Sequence, residues 1–219
     1  MALNINGTTG ISGVEGSVSA PVLTGTDSNC GISFPAADTI KFSTGGVERM
    51  SITNSGVSGI TAGITMQDSW VVTSGYSTNS AADITANWAR HSAASSTLFG
   101  NIGSAMTESS GVFTFPSTGI YLVMAALVVK ADGGGRTYLG AEQRISSDSG
   151  SNYTDATVAY NSGYQNSAYS STQTIAIYDV TNASTFRWKI RSVFSDTSLV
   201  VGDATNKLTG VTFTRLGDT

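Results

Sequence analysis

His91 is the only histidine in the 219 residues, and Cys30 is the only cysteine. Acyl transfer needs a nucleophile, a histidine-like base and an orienting acid within hydrogen-bond reach. Serines and aspartates are plentiful, but no Gly-x-Ser-x-Gly elbow occurs, and His91 lies in "WARHSAA" with no partner at a telling spacing. A surface or interface histidine is the reading that fits. Glycan cleavage needs two carboxylates held across a substrate. The acids Asp132, Asp148, Asp155, Asp196 and Asp203 are instead scattered through turn-like segments. No catalytic residue is therefore assigned, and the chain is not expected to be an enzyme. A lone cysteine also excludes an internal disulfide and an intrachain thiolate cluster.

Two stretches could bind rather than react. "SDSGSNYTD" (147–155) offers Asp148, Asn152 and Asp155 as oxygen ligands of the kind that hard cations take. The spacing is not that of an EF-hand, and ordinary Asx-turn chemistry is the favoured reading. The segment 151–173 carries Tyr153, Tyr160, Tyr164 and Tyr169 among Asn161, Asn166 and many Ser and Gly residues. Rigid amphipathic rings among small polar residues resemble the composition of a binding paratope and also suit sugars. These six residues are the candidate receptor-binding set, with some of the rings expected to pack under their own loop.

The elements that must position such residues are all strand-like. Charged residues are 12 % of the chain, about half the usual share. Hydrophobic residues are 40 %, enough for a core. A net charge of −4 weighs against a nucleic-acid binder. The longest apolar run, 120–129, is far shorter than the roughly 20 residues of a membrane-spanning helix. The opening "MALNINGTTGISG" has no basic region and no long apolar stretch, so no secretion signal is expected.

Residues 1–66 contain no Trp or Tyr. Their clearest unit is "TIKFSTGGVERMSITNSG", a hairpin about Gly45-Gly46 with Ile40, Phe42, Met50 and Ile52 on one face. A lone hairpin with one apolar face needs a partner, which identical copies about a threefold axis would supply. The other apolar patches of this region are too short and sparse to build a core alone.

Residues 67–219 carry all three Trp and all eight Tyr. Strand signals fall at 69–74, 111–116, 119–130, 137–145, 153–160, 172–181, 184–194 and 208–216, with turn residues between them. In "STFRWKIRS", Phe186, Trp188 and Ile190 face inward and Arg187, Lys189 and Arg191 outward. One stretch, 81–94, has weak helical character, but its composition favours loop and strand. Many short strands with regular turns read as an antiparallel sandwich or jelly roll.

One of these strands raises a problem. In "GVFTFPSTGIYLVMAALVV" (111–129) the second run is apolar on both faces: Tyr121, Val123, Ala125, Leu127 and Val129 on one, Ile120, Leu122, Met124, Ala126 and Val128 on the other. Such strands normally lie in sheets covered on both sides. The "GVFTFPSTGIYLV" block and the closing "LTGVTFTRLG" resemble the C1q/TNF-like domain, a similarity spanning roughly residues 67–217. That resemblance implies a homotrimeric jelly-roll knob in which one row of 120–129 faces the sandwich core and the other the threefold axis. Tyr121, Val123, Ala125, Leu127 and Val129 are accordingly the candidate core or trimer-interface row. The resemblance also makes calcium the ion to consider at Asp148, Asn152 and Asp155; no other cofactor is expected.

The N-terminal part resembles another group. "MALNINGTTGISG", and above all the pattern F-x-T-x-G-x-E-R-M-x-I-x-x-x-G from Phe42 to Gly56, is similar to the openings of fibre and virion-associated proteins of tailed phages, especially phages of marine bacteria and cyanobacteria. Together the resemblances imply a virion fibre, made in the bacterial cytoplasm. A stalk (1–66) would bind other virion proteins. A trimeric knob (67–219) would contact a bacterial surface glycan or protein. The alternative is a head-fibre, capsid-decoration or cement protein that binds no receptor.

Overall fold

The computed structural model describes residues 4–6, 10–12, 15–59, 63–79, 81–91 and 101–219, the first two segments as backbone only. Among these residues there is no helix, and every paired strand is antiparallel. The all-β expectation holds. The 81–94 stretch contributes a short strand and loop, and 92–94 lie outside the described residues. The chain divides into two compact units, residues 1–62 and 63–219.

In the first unit, β1 (Asn4–Asn6) pairs with β2 (Gly10–Ser12). A five-stranded meander follows: β3 (Leu23–Thr24), β4 (Gly31–Ser33), β5 (Ile40–Thr44), β6 (Val47–Thr53) and β7 (Gly56–Ser58). The β5–β6 turn is Gly45-Gly46, both at positive φ as a two-residue hairpin requires. Its register pairs Ile40 with Ile52 and Phe42 with Met50, as the sequence pattern predicts. Registers across the sheet then line up Leu23, Ile32, Phe42 and Met50 in one apolar row and Ile40, Ile52 and Val57 in the next. These side chains are only half-buried, or exposed. Besides Pro21, the buried side chains of the described residues here are Ser33, Ser43 and Ser51, all small and polar. This unit has an oily face and almost no core.

The second unit is a sandwich. One sheet runs in the order β10 (Trp88–Arg90), β8 (Met66–Val72), β19 (Gly210–Gly217), β13 (Gly119–Ala131), β18 (Ser198–Asp203), β9 (Ser74–Thr78), with β16 (Tyr169–Val180) along the free side of β13. The other runs β11 (Thr107–Ser109), β12 (Val112–Thr114), β17 (Arg187–Phe194), β14 (Arg136–Ser146), β15 (Thr154–Gly163). Strand β13 carries the first sheet. It pairs with β16 from Gly119 to Lys130, and on its other side with β19 and then β18. The "STGIY" signature has a steric reason. Gly119 adopts φ +146°, and a Cβ there would come within 2.4 Å of Arg215 Nε and 2.7 Å of the Gly217 carbonyl.

Between the sheets lies an aromatic core. Phe113, Trp188 and Phe213 are fully buried, with ring centroids 5.1–5.5 Å apart in mostly edge-on contacts. Trp188 and Ile190 face inward as their alternation requires. The outward row finds partners: Lys189 Nζ is 2.7 Å from Asp83 and Arg191 Nη1 is 3.2 Å from Glu142, while Arg187 donates to the carbonyls of Phe186 and Ser184. Two of the three cations are thus paired with acids, and Arg187 is held by backbone carbonyls.

Two buried polar groups tie the sandwich together. The amide of Gln143, on β14, has no solvent exposure and uses all four of its hydrogen-bonding positions. It donates to Thr174 Oγ1 (3.0 Å) and the Val123 carbonyl (3.4 Å), and accepts from Tyr178 OH (2.8 Å) and Trp188 Nε1 (2.9 Å). Strands β13 and β16 of one sheet are thus bonded to β14 and β17 of the other. Asp68 on β8 is equally enclosed. It accepts from Arg90 Nε (2.9 Å) and Nη2 (3.2 Å), from Trp70 Nε1 (3.0 Å) and from the Met106 amide (2.8 Å).

Removing the Gln143 amide strands two buried donors. Gln143→Ala should lower the unfolding free energy by about 2–5 kcal/mol, and Tyr178→Phe by about 1 kcal/mol. Urea unfolding checks both; equal effects of the two would show that the amide is not the hub.

Candidate recognition surfaces

The chain enters the sandwich at Gly63, and Met66 pairs with Arg215 at one end of the sheet. At the opposite end Ala131 pairs with Ser198, and the β13–β14, β15–β16 and β17–β18 loops converge. Arg136 holds them, although nothing in the sequence pattern marks it out. Its guanidinium is 8 % exposed and donates to carbonyls rather than to an acid: Asp132, Gly134 (3.1 Å), Gly135 (3.2 Å) and Thr197 (2.6 Å). Asn166 Oδ1 accepts from the Gly133 amide (2.9 Å) and docks the tyrosine-bearing loop on the same cradle.

Of the six candidate receptor-binding residues, three rings are displayed here. Tyr160 is 60 % exposed, Tyr164 83 % and Tyr169 67 %. Tyr160 stands edge-on to Tyr138 with centroids 5.9 Å apart, and together with Val193 they line an open groove. Tyr138 was not signalled by the sequence, because it lies in a separate strand and only the pairing of β14 with β15 brings it near. Lys130 lies over the Tyr169 ring at 5.8 Å. The other three candidates do structural work. Tyr153 is half-buried at the far end, with Lys189 Nζ 3.7 Å above its ring. Asn161 donates to the Ser171 carbonyl (3.1 Å) and accepts from the Ser162 amide (2.8 Å), and Asn166 is the loop clasp just described.

His91 corrects the expectation of a surface or interface histidine. It is 3 % exposed, its main chain donates to the Ser69 carbonyl, and its Nε2 is 3.4 Å from the Thr205 carbonyl. Being in a short strand-and-loop segment against β8, it had no periodicity to reveal its burial.

Asp148 and Asp155 belong to separate arrangements. Asp148 Oδ1 accepts from Ser146 Oγ (2.6 Å) and the Asn152 amide (2.9 Å), and its Oδ2 accepts from Asn152 Nδ2 (2.7 Å). Asp155 pairs with Arg144 at 2.6 Å. Among the described residues no group of three or more histidine, cysteine or acidic side chains could hold a metal ion. The Asp148 turn is an Asx turn with its oxygens occupied by donors of the chain.

The fourth surface is the outer face of the β13 sheet. The odd row, Tyr121, Val123, Ala125, Leu127 and Val129, is buried in the sandwich core. The even row points away from it. Met124 (43 % exposed) pairs across to Ile175 (60 %), and Leu122 pairs to Ile177 (63 %). Ile120 and Ala126 continue the band. The question raised by the doubly apolar strand is thereby located: one face is covered by the protomer, the other is not.

Those donors hold the Asp148 carboxyl down from 3.8 to about 2, the Ser146 hydroxyl first among them. Because the folded value is the lower one, this turn's contribution to stability is present above pH 4 and lost as pH falls toward 2. In an NMR titration the Asn152 amide should move with a midpoint near 2, and Asp148→Asn should abolish that step. A midpoint near 4 would show the carboxyl free.

No family model matches this chain, and no curated protein matches its sequence. Among solved structures, Eiger TNF from S. frugiperda is 14 % identical, with 72 % of this chain aligned to 96 % of that one at a TM-score of 0.52. Murine APRIL at pH 5.0 is 11 % identical, with 69 % of this chain aligned to 98 % of that one at a TM-score of 0.49. With the strand order above, the likeness to Eiger makes this a TNF-like antiparallel jelly roll.

Proposed function

We propose that this chain is a homotrimeric virion fibre whose C-terminal jelly roll contacts a host cell surface. The observation that carries the assembly is the uncovered band of Ile120, Leu122, Met124, Ala126, Ile175 and Ile177. An exposed apolar patch on a sheet face is costly in a lone soluble protomer and marks an interaction surface. Three copies packed about an axis would cover it, with the even row of β13 facing inward. The half-exposed apolar rows of the first unit ask for the same kind of cover.

Support for the contact role comes from the display of Tyr160, Tyr164 and Tyr169. They sit toward the end of the sandwich opposite the Met66–Arg215 pair, and the contact role assigns them to the host surface. A trimer would present three such sets, raising a weak single-site affinity through effective concentration. The virion setting rests on the N-terminal pattern from Phe42 to Gly56. The role assigned is recognition, with no catalytic step. The chain would be made in the host cytoplasm, its first unit would bind other virion proteins, and the receptor would be a bacterial surface glycan or protein.

Light scattering should give a mass three times the 22.5 kDa of one chain. Ile175→Glu with Ile177→Glu should yield folded protomers, since both residues are exposed in the protomer. A wild-type monomer would end the assembly reading. Tyr164→Ala with Tyr169→Ala should weaken adsorption to host cells severalfold, with stability changed by less than about 0.5 kcal/mol each, as for surface positions. Undiminished adsorption, or none by the wild type, would favour a purely structural place in the virion.

A further inference from the structure

Of the chain's four lysines, three have a ready account. Lys41 Nζ is 2.7 Å from Glu48 and Lys189 Nζ is 2.7 Å from Asp83, while Lys130 lies over the Tyr169 ring. Lys207 differs. Its side chain folds back from the turn before β19 onto the outer face of the β13 sheet. Its methylenes lie across Gly210, where a Cβ would come within 3.1 Å of Lys207 Cε. Its ammonium donates to Ser69 Oγ (2.8 Å) and to Thr212 Oγ1. Both acceptors are neutral, and the third N–H has no acceptor among the described residues. No ion pair reaches it. The residues outside the described set include no Asp or Glu, so none of them can supply a carboxylate.

This half-buried cation borders a depression of about 200 Å³ lined by Met124, Gln173, Ile175 and Thr212. The row is set by register: Ser69, Thr212, Met124 and Ile175 follow one another across β8, β19, β13 and β16. The groups facing Lys207 from each packed strand are Ser69 on β8, Thr212 on β19, Met124 and Ala126 on β13, and Gln173 and Ile175 on β16. None is charged. In its own turn, Asp203 is occupied by the Thr205 and Asn206 amides and by Asn206 Nδ2, and His91 Nε2 meets the Thr205 carbonyl.

We infer that Lys207, with the Ser69 and Thr212 hydroxyls and the Gln173 amide at the rim, is a binding site for a small oxyanion such as sulfate, phosphate or a carboxylate. A cation withdrawn from water without a counter-ion favours any anion that can reach it, and charge-assisted hydrogen bonds make that contact strong. Desolvation alone lowers the Lys207 ammonium from 10.5 to about 8, and no acid acts against it. The anion requires the protonated amine, so binding is strongest below pH 8 and is lost as pH rises through that value. The site is complete within one protomer, shares Met124 and Ile175 with the band that a trimer would cover, and goes beyond the recognition role proposed above.

The test is sulfate titration of the full chain at pH 7, with ionic strength held constant by chloride. It is read by calorimetry and by the thermal unfolding midpoint, which also reports an anion taken up on assembly. Wild type should bind saturably, Lys207→Met should lose binding at least about tenfold, and Lys207→Arg should retain it. Affinity should fall about tenfold per pH unit well above pH 8. Acetate in parallel separates a carboxylate preference from one for inorganic oxyanions. If Lys207→Met does not fold, the NMR shift of Lys207 Cε on sulfate addition decides the matter. No saturable response in wild type, an equal response in Lys207→Met, or an unmoved Lys207 resonance would each overturn the proposal. Light scattering of the same samples reports assembly separately, so a monomer that binds sulfate would refute the trimer and leave this site standing.

Discussion

The Gln143 amide decides which way the central strand faces. Its four partners lie on three strands, β13, β16 and β17, and in both sheets. An amide deprived of solvent is tolerable only when each donor and acceptor is met, and a partial set would be worse than an apolar core. The bond to the Val123 carbonyl and the pair to Thr174 and Tyr178 lock β13 and β16 in register against β14. A slip of one residue would turn Val123 outward and Met124 inward, because the side-chain period is two. With that slip forbidden, the second apolar row of β13 must face away from the core. The uncovered band is thus a consequence of how the core is bonded.

The sandwich handles its few charges by one rule: each is bonded where the chain can supply a partner. Asp68 takes four donors, Arg136 is wrapped in carbonyls, and the outward basic row of β17 meets acids or carbonyls. The low charge content leaves little redundancy in this scheme. Lys207 stands out against it because it is half-withdrawn from water with hydroxyls alone. In a protein rich in long charged side chains the same lysine would carry little information.

Much of the fold was legible in the sequence because alternation is a local property. The Gly45-Gly46 hairpin, the inward Trp188 and Ile190, and the strand after Gly119 all announce themselves within a dozen residues. The short strands β9, β10, β11 and β18 did not. Their three to six residues are too few for a period to show, and they exist because β8, β12 and β13 offer edges to β10, β11 and β18, and β18 in turn to β9. The candidate site was legible in part for the same reason. The composition of 151–173 marked the tyrosines but could not sort Tyr164, which is exposed, from Tyr153, which is pinned under Lys189. Tyr138, Arg136 and Lys207 each meet at least one partner that is distant in sequence, Tyr160, Thr197 and Ser69, and no local pattern could find those contacts.

Both units share a physical predicament. Each builds a sheet with more apolar surface than its own chain covers: β3 to β7 in the first, β13 and β16 in the second. Covering them by two unrelated partners would require two recognition events with separate specificities. A single rotational symmetry acting on the whole chain would repeat both faces by the same operation. Under the trimeric reading, the sparse first unit gains its order from the association that the second unit drives. The absence of Trp and Tyr before residue 67 then ceases to be a deficit. A segment that orders only when three copies meet needs side chains small enough to interdigitate near an axis, and Ser, Thr, Gly, Ile and Val meet that requirement where Trp and Tyr would hold the chains apart.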